Sequence, residues 1–151
     1  MKSGISDNCM LPKGRVTITM NGERKVFSNL VVDGYKEYSS KLNIKDFADP
    51  VRSIAVGTGG HILGDITTPV PPQLTDPALE TELLRKDIGA FSNPTTTTSK
   101  YSVTFTTFEA NGEITEAGLF TDAGLMVARV TFSNVTKTIA QNMLIEWELI
   151  Y

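Results

Sequence analysis

The last stretch of the chain, "MLIEWELIY" at residues 143–151, alternates apolar and acidic positions with a period of two. That period belongs to a half-buried strand and to no helix. Ile145, Trp147, Leu149 and Tyr151 share one face, and Glu146 and Glu148 share the other. This strand carries the one tryptophan of the chain on its apolar side. A strand of this kind needs paired neighbours and a second apolar layer against it. The same period recurs in "RVTITM" at residues 15–20, where Val16, Ile18 and Met20 share a face. Asn21-Gly22 follows, the strongest short hairpin signal, and "KVFSNLVV" returns antiparallel. "KYSVTFTTF" alternates again, with Tyr101, Val103 and Phe105 on one side. A turn at "ANG" and two strands around Asp122-Ala123-Gly124 come next, with Met126, Ala128, Val130 and Phe132 inward in the second.

Three further segments complete the reading. "VRSIAVG" at residues 51–57 is a short Val- and Ile-containing strand. "SNPTTTTSK" at residues 92–100 reads as a Thr-rich loop or an exposed edge strand. "TDPALETELLRKD" carries helix signals: Asp76 to cap, Pro77 at the first helical position, an apolar stripe of Leu79, Leu83 and Leu84, and Lys86 near the end. Residues 35–50 fit a loop, a short strand or a helical turn equally well. The sum predicts a mainly β chain: an antiparallel β-sandwich, jelly-roll or Ig-like, with one short α-helix. A flexible N-terminal arm over residues 1–14 and a single domain over 15–151 are expected, in keeping with 151 residues.

Between strand and Pro-rich loop stands "VGTGGHILGD". Gly57 and Gly59 match the first two positions of a dinucleotide fingerprint, but the third is Ile62. Phosphate binding also needs a following helix N-terminus, and Pro69, Pro71 and Pro72 block one. The glycines therefore read as a tight turn or bulge using positive φ. His61, the one histidine, has no adjacent Cys or acidic pair to make it a metal ligand or an oriented base. Cys9, the one cysteine, can form no internal disulfide. Glu146 and Glu148 stand about 7 Å apart by strand geometry, a spacing that inverting glycosidases use and that any polar strand face shows. Asn134-Val135-Thr136 fits a glycosylation sequon in a chain without secretion signals.

The net charge of −3 gives nucleic-acid binding no electrostatic support. No apolar run is long enough to cross a bilayer, and "MKSGISDNCM" lacks the apolar middle of a signal peptide. The expectation is a chain with no catalytic, cofactor or metal site.

Two segments carry a resemblance. "IAVGTGGHILGDITTPVPPQLTDPALETELLRK" (residues 54–86) and "VTFTTFEANGEITEAGLFTDAGLMVARVTFSNVTKTIAQNMLIEWELIY" (residues 103–151) resemble, in order and spacing, small β-rich virion proteins of tailed bacteriophages. These are tail-fibre, collar or head-fibre components. The resemblance covers over half the chain and rests on "ITEAGLF" and "ARVTF" combined with Gly57-Thr58-Gly59. It implies a non-enzymatic structural subunit located in the virion and assembled in the host bacterial cytoplasm. Its expected partners are tail, collar or capsid proteins and further copies of itself, three if the assembly is fibre-like. Capsid decoration is one alternative; recognition of a host-surface glycan through Tyr35 and Tyr38 is another. Within the motif, Gly57, Gly59 and Gly60, with Thr58 between them, are expected to shape a structural turn. Gly118 is expected to permit a bulge or close backbone approach, and Glu116 to bond backbone groups of the neighbouring loop.

Overall fold

The computed structural model describes residues 11–42, 44 and 48–151. In chain order the elements are β1 (Lys13–Met20), β2 (Glu23–Val31), α1 (Asp33–Lys41), β3 (Val51–Gly57), β4 (His61–Ile62), β5 (Asp65–Pro69), β6 (Glu82–Asp87), β7 (Ala90–Thr95), β8 (Thr98–Phe105), β9 (Gly112–Thr121), β10 (Met126–Lys137) and β11 (Met143–Ile150). Asn21 and Gly22 both take positive φ between β1 and β2, the requirement of a tight hairpin whose twist matches its strands. Nine strands form one antiparallel sheet in the order β6-β3-β9-β10-β2-β1-β11-β8-β7, and β4-β5 is a separate two-stranded hairpin. This is the mainly β, sandwich-like architecture with one short helix that the alternation predicts.

The sheet is folded over on itself at β2. Residues 23–29 of β2 pair with β1, whereas Leu30 and Val31 pair with Arg129 and Ala128 of β10. The two halves then face each other across a core that includes Val16, Ile18, Ile54, Val103, Phe105, Leu119, Val130 and Trp147. Phe27 stacks on Phe132 with ring centroids 4.9 Å apart. The far ends of the sheet meet as well. Ile88 donates its N–H to Arg52 of β3, and the next residue, Gly89, donates to Ser102 of β8. One dipeptide thus crosses from one layer to the other, which lets the consecutive strands β6 and β7 occupy opposite ends of the strand order.

Several expectations are corrected. Residues 76–86 are not a helix: a bend leads into the edge strand β6, whose Ser53- to Gly57-facing register binds it to β3. Asp76 does not cap a helix; its carboxylate accepts from the Gln73 N–H and from Arg129. Among the described residues the single helix is α1, most of which lies in the stretch 35–50 that the sequence left open; it carries Asp33–Lys36 and Glu37–Lys41 ion pairs on its surface. Lys13 and Gly14, expected in the arm, belong to β1, where they pair with Ile150 and Leu149. Residues 1–10, with Cys9, lie outside the described residues. Tyr151 lies just past β11 and is 55 % exposed, not inward.

β9 and β10 break the period-two rule for a visible reason. From Ile114 to Thr121 every residue of β9 is buried. One face meets the main core. The other lies beneath the loop before β6, where Val32, Ala55, Leu79, Phe120 and Met126 form a second, smaller apolar cluster. A strand covered on both sides has no polar face to display.

Candidate functional site

On that covered outer face, Glu116 of β9 is completely buried. A lone buried carboxylate is costly, so the surroundings must supply donors. They come from three separate segments. Its Oε1 accepts the N–H of Thr81 at 2.8 Å and of Gly59 at 3.2 Å; its Oε2 accepts the N–H of Glu80 at 3.1 Å and Nη2 of Arg129 at 2.7 Å. Arg129 lies on the neighbouring strand β10, and its other terminal nitrogen donates to Asp76 at 2.6 Å. Burial opposes the charge of the guanidinium, but the hydrogen bonds to Glu116 and Asp76 outweigh it and hold its pKa above the ordinary arginine value. Around this pair, Thr115 Oγ1 donates to the Gly59 carbonyl at 2.6 Å, and Gly60 donates its N–H to Glu80.

The glycines exist for this cluster. Gly57 needs close approach, not positive φ: a β-carbon there would overlap the Thr81 carbonyl oxygen and stand 2.6 Å from Glu116 Oε1. Only Gly60 of the three takes positive φ, at 72°, which corrects the expectation for Gly57 and Gly59. Gly118 sits in regular register with Ala55 and Arg129, so it makes no bulge. Its missing side chain instead leaves room for the Phe120 ring and Leu79. Thr58 contributes backbone, donating its N–H to Thr81. Gly57, Thr58, Gly59, Glu116 and Gly118 are therefore brought to one place. Arg129 and Asp76 belong with them, and sequence reading missed both. The signal was present in "ARVTF", where a charged residue interrupts an apolar strand.

Chemically the cluster is an anchor. All four contacts of Glu116 are to N–H donors of the chain itself, so no oxygen is left to take a proton from another molecule. His61 is not oriented as a base: its two ring nitrogens face the carbonyls of Thr58 and Ile62. Glu146 and Glu148 do not converge on open space, since they pair with Lys100 and Arg15. No group of three acidic, His or Cys side chains suited to a metal ion occurs among the described residues. No helix there is long and apolar enough to cross a membrane.

What the anchor holds is the β4-β5 hairpin. Its root is tied by Val70 N–H to the Gly60 carbonyl at 2.8 Å and by Thr131 Oγ1 to the Val70 carbonyl at 2.9 Å. The returning strand is stiffened by Asp65, which accepts from the Thr67 and Thr68 hydroxyls and from the Thr67 N–H; these bonds lower its pKa. The tip is apolar. Leu63 is 99 % exposed and Ile62 is half exposed; Ile66 is exposed on the returning strand and Val70 at the root. Scattered exposed apolar residues are ordinary, but several on one short hairpin are not.

A second gathering lies on another side. All four tyrosines of the chain come together: Tyr35 and Tyr38 of α1 at 5.9 Å, Tyr35 and Tyr151 at 6.4 Å, with Tyr101 of β8 near Tyr151. Phe91 of β7 meets Tyr101 edge-on at 5.9 Å. Burial, followed by the charge of Tyr151, pushes Tyr101 up to about 12. Burial raises Tyr35 and Tyr38 too.

Compared with known proteins, the chain matches no family model, no curated protein and no solved structure.

Proposed function

We propose that this chain is a structural subunit of a tailed-phage particle that works by protein–protein contact, and that the β4-β5 hairpin is a docking finger. The observation that carries the finger is the contrast between a buried, fully hydrogen-bonded root at Glu116 and a fully exposed leucine at the tip. A rigid loop loses little conformational entropy on binding, so a pre-set apolar tip suits docking into a neighbour. The virion assignment draws on the resemblance of the two motif-bearing segments. It is supported by the way "GTG", "ITEAGLF" and "ARVTF" all contribute to one cluster. A tail-associated position, at a fibre, collar or baseplate periphery, is the first choice and capsid decoration the second.

Leu63→Asp tests the finger. The side chain touches solvent only, so stability, read from a thermal melt, is expected to change by no more than about 0.5 kcal/mol. Incorporation into particles, measured by complementing cells that produce them, is expected to fail. Normal incorporation of the variant would overturn the finger.

The tyrosine gathering favours one second reading, recognition of a host-surface glycan. Phe91 and Tyr151 are each more than half exposed beside Tyr101, giving an aromatic platform of the kind that binds an apolar sugar face. A glycan array on the oligomeric protein tests it, and loss of a signal in Phe91→Ala would support it.

A further inference from the structure

At the end of β10 a buried amine sits against a carboxamide. Burial alternates there: Val135 and Lys137 are buried, and Thr136 between them is exposed. The Lys137 side chain therefore points inward with Val135. Its Nζ donates to the Thr106 carbonyl at 2.7 Å and to Asn111 Oδ1 at 2.8 Å. An ammonium has three N–H donors and, once buried, needs a counter-charge. Among the described residues two neutral acceptors are all that touch this one, whereas Lys86 and Lys100 reach the carboxylates of Glu109 and Glu146. The carboxamide is held in place. Asn111 Nδ2 donates to the Thr107 carbonyl at 2.9 Å, and the Glu109 N–H donates to the Thr106 carbonyl. Ala110, buried just before Asn111, takes a φ of 55°, a left-handed conformation that costs energy for a residue with a β-carbon. The turn thus carries backbone strain that keeps Asn111 against the lysine. Glu109, fixed by Lys86 at 2.7 Å, is the charged group that faces Lys137 among the described residues. An amine, a carboxamide and a carboxylate therefore meet out of water.

We propose that Lys137 and Asn111 join through a side-chain amide, an intramolecular isopeptide bond, with Glu109 carrying the proton. The lone pair of neutral Nζ attacks Cγ of Asn111, one bond beyond the oxygen that Nζ already touches. As the Nζ–Cγ bond forms, Nζ gives a proton to the Glu109 carboxylate, which passes it to Nδ2. The Cγ–Nδ2 bond breaks and ammonia leaves. One amine and one carboxamide become one secondary amide and ammonia; nothing is oxidised or reduced, and no water is consumed. Fixed contact between the reacting groups replaces a chance encounter. Lys137 must first shed its ammonium proton, and burial, which holds its pKa below the ordinary lysine value, favours that. The product is neutral, so the cost of a buried charge disappears. Until the bond forms, Lys137 is the hydrogen-bonded cation that fastens the turn. Gly112 pairs with Lys137, so the bond closes the open mouth of the β9-β10 hairpin and makes residues 111–137 a covalent ring that contains Glu116 and Arg129. This inference stands independently of the virion reading and of the finger.

Mass spectrometry of the full chain, incubated at neutral and at mildly alkaline pH, tests it. The expected mass is that of the sequence less one ammonia. Trypsin should then fail to cut after Lys137 and release a branched peptide with two N-termini, joining residues 101–129 to residues 130–151. Lys137→Arg keeps a cation against Thr106 and Asn111 but has no amine to acylate, and it is expected to keep its full mass. Glu109→Gln is expected to slow the loss of ammonia by about a hundredfold, with circular dichroism reporting that the fold is kept; a rate equal to that of the parent chain would overturn the role given to Glu109. A chain that keeps its full mass at both pH values would overturn the bond. So would a loss of ammonia that persists in Lys137→Arg or that leaves the cut after Lys137 intact, because that result marks imide closure at Asn111-Gly112 instead.

Discussion

Two loops of this protein are fastened by buried charges of opposite sign. The loop before β6 is held by an anion: Glu116 collects backbone N–H groups from Gly59, Glu80 and Thr81. The turn between β8 and β9 is held by a cation: Lys137, 1 % exposed, donates to the Thr106 carbonyl at 2.7 Å and to Asn111 Oδ1 at 2.8 Å. A carboxylate suits orphaned donors and an ammonium suits orphaned acceptors, so each loop selects the sign of its anchor. The difference lies in compensation. Glu116 has the guanidinium of Arg129 against it. Lys137 has no carboxylate in direct contact among the described residues; burial holds its pKa below the ordinary lysine value, and Glu109 only partly restores it. A neutralised buried pair is costly to break on one side, because the other charge stays behind.

That asymmetry predicts the larger effect at the anion. Glu116→Ala leaves Arg129 buried with only Asp76 and strips an acceptor from three backbone N–H groups, with an expected loss of about 3–5 kcal/mol. Hydrogen exchange in residues 58–62 and 76–81 should accelerate with it. Lys137→Met removes the buried ammonium and leaves two acceptors bare, a smaller loss of about 1–3 kcal/mol. Thermal melts of the two variants side by side check the ranking, and a Lys137→Met protein that melts below Glu116→Ala would break the comparison. The pH dependence sharpens it. The lowered pKa of Lys137 means that its penalty is complete at neutral pH and is relieved as pH rises toward the ordinary value of 10.5. Any such gain should be absent from Lys137→Met.

The tyrosines give a pH dependence of the opposite sign. Tyr35, Tyr38 and Tyr101 have pKa values raised above 10.0 on folding, by burial first. A phenol that holds its proton more tightly in the native state stabilises it fully below about pH 10, and that stability is lost as pH rises through the native value. Phenolate absorbance followed from pH 9 upward should show these three titrating late, with Tyr101 near 12. Ordinary titration of all of them in the folded protein would show that the ring cluster is open to water.

Much of the sheet could be read from residues alone, because its signals are local. Asn21-Gly22 specifies its turn by φ, and Ile145, Trp147 and Leu149 declare a buried face by period. The Thr-rich segment reads as a loop or an exposed edge strand, and it holds both: β7 ends at Thr95, Thr96 and Thr97 form the turn, and Thr98 opens β8. The segment 76–86 shows where this logic ends. Pro77 and its leucines satisfy helix rules, yet Leu84 to Asp87 pair with β3, and the Glu80 and Thr81 N–H groups go to Glu116. Local propensity is a weak preference, and tertiary partners of this kind outweigh it. α1 was obscured for the reverse reason: its one buried residue is Tyr35, too little to make an apolar stripe.

By itself, then, the sequence determined β1, β2, β3, β8, β9, β10 and β11, the Asn21-Gly22 turn and the inward faces of β1, β8 and β11, because each depends on neighbours one to three residues away. Only the tertiary structure decided which charges are buried. Periodicity along the chain gives no sign that Glu116, Arg129 and Asp76 meet. Their pairing depends on β9 and β10 lying side by side and on a loop dozens of residues earlier returning to cover them. The tertiary fold likewise leaves β7 and the Leu63 tip uncovered. Burial is a property of the assembled layers, and periodicity along a strand carries no information about what will cover its second face.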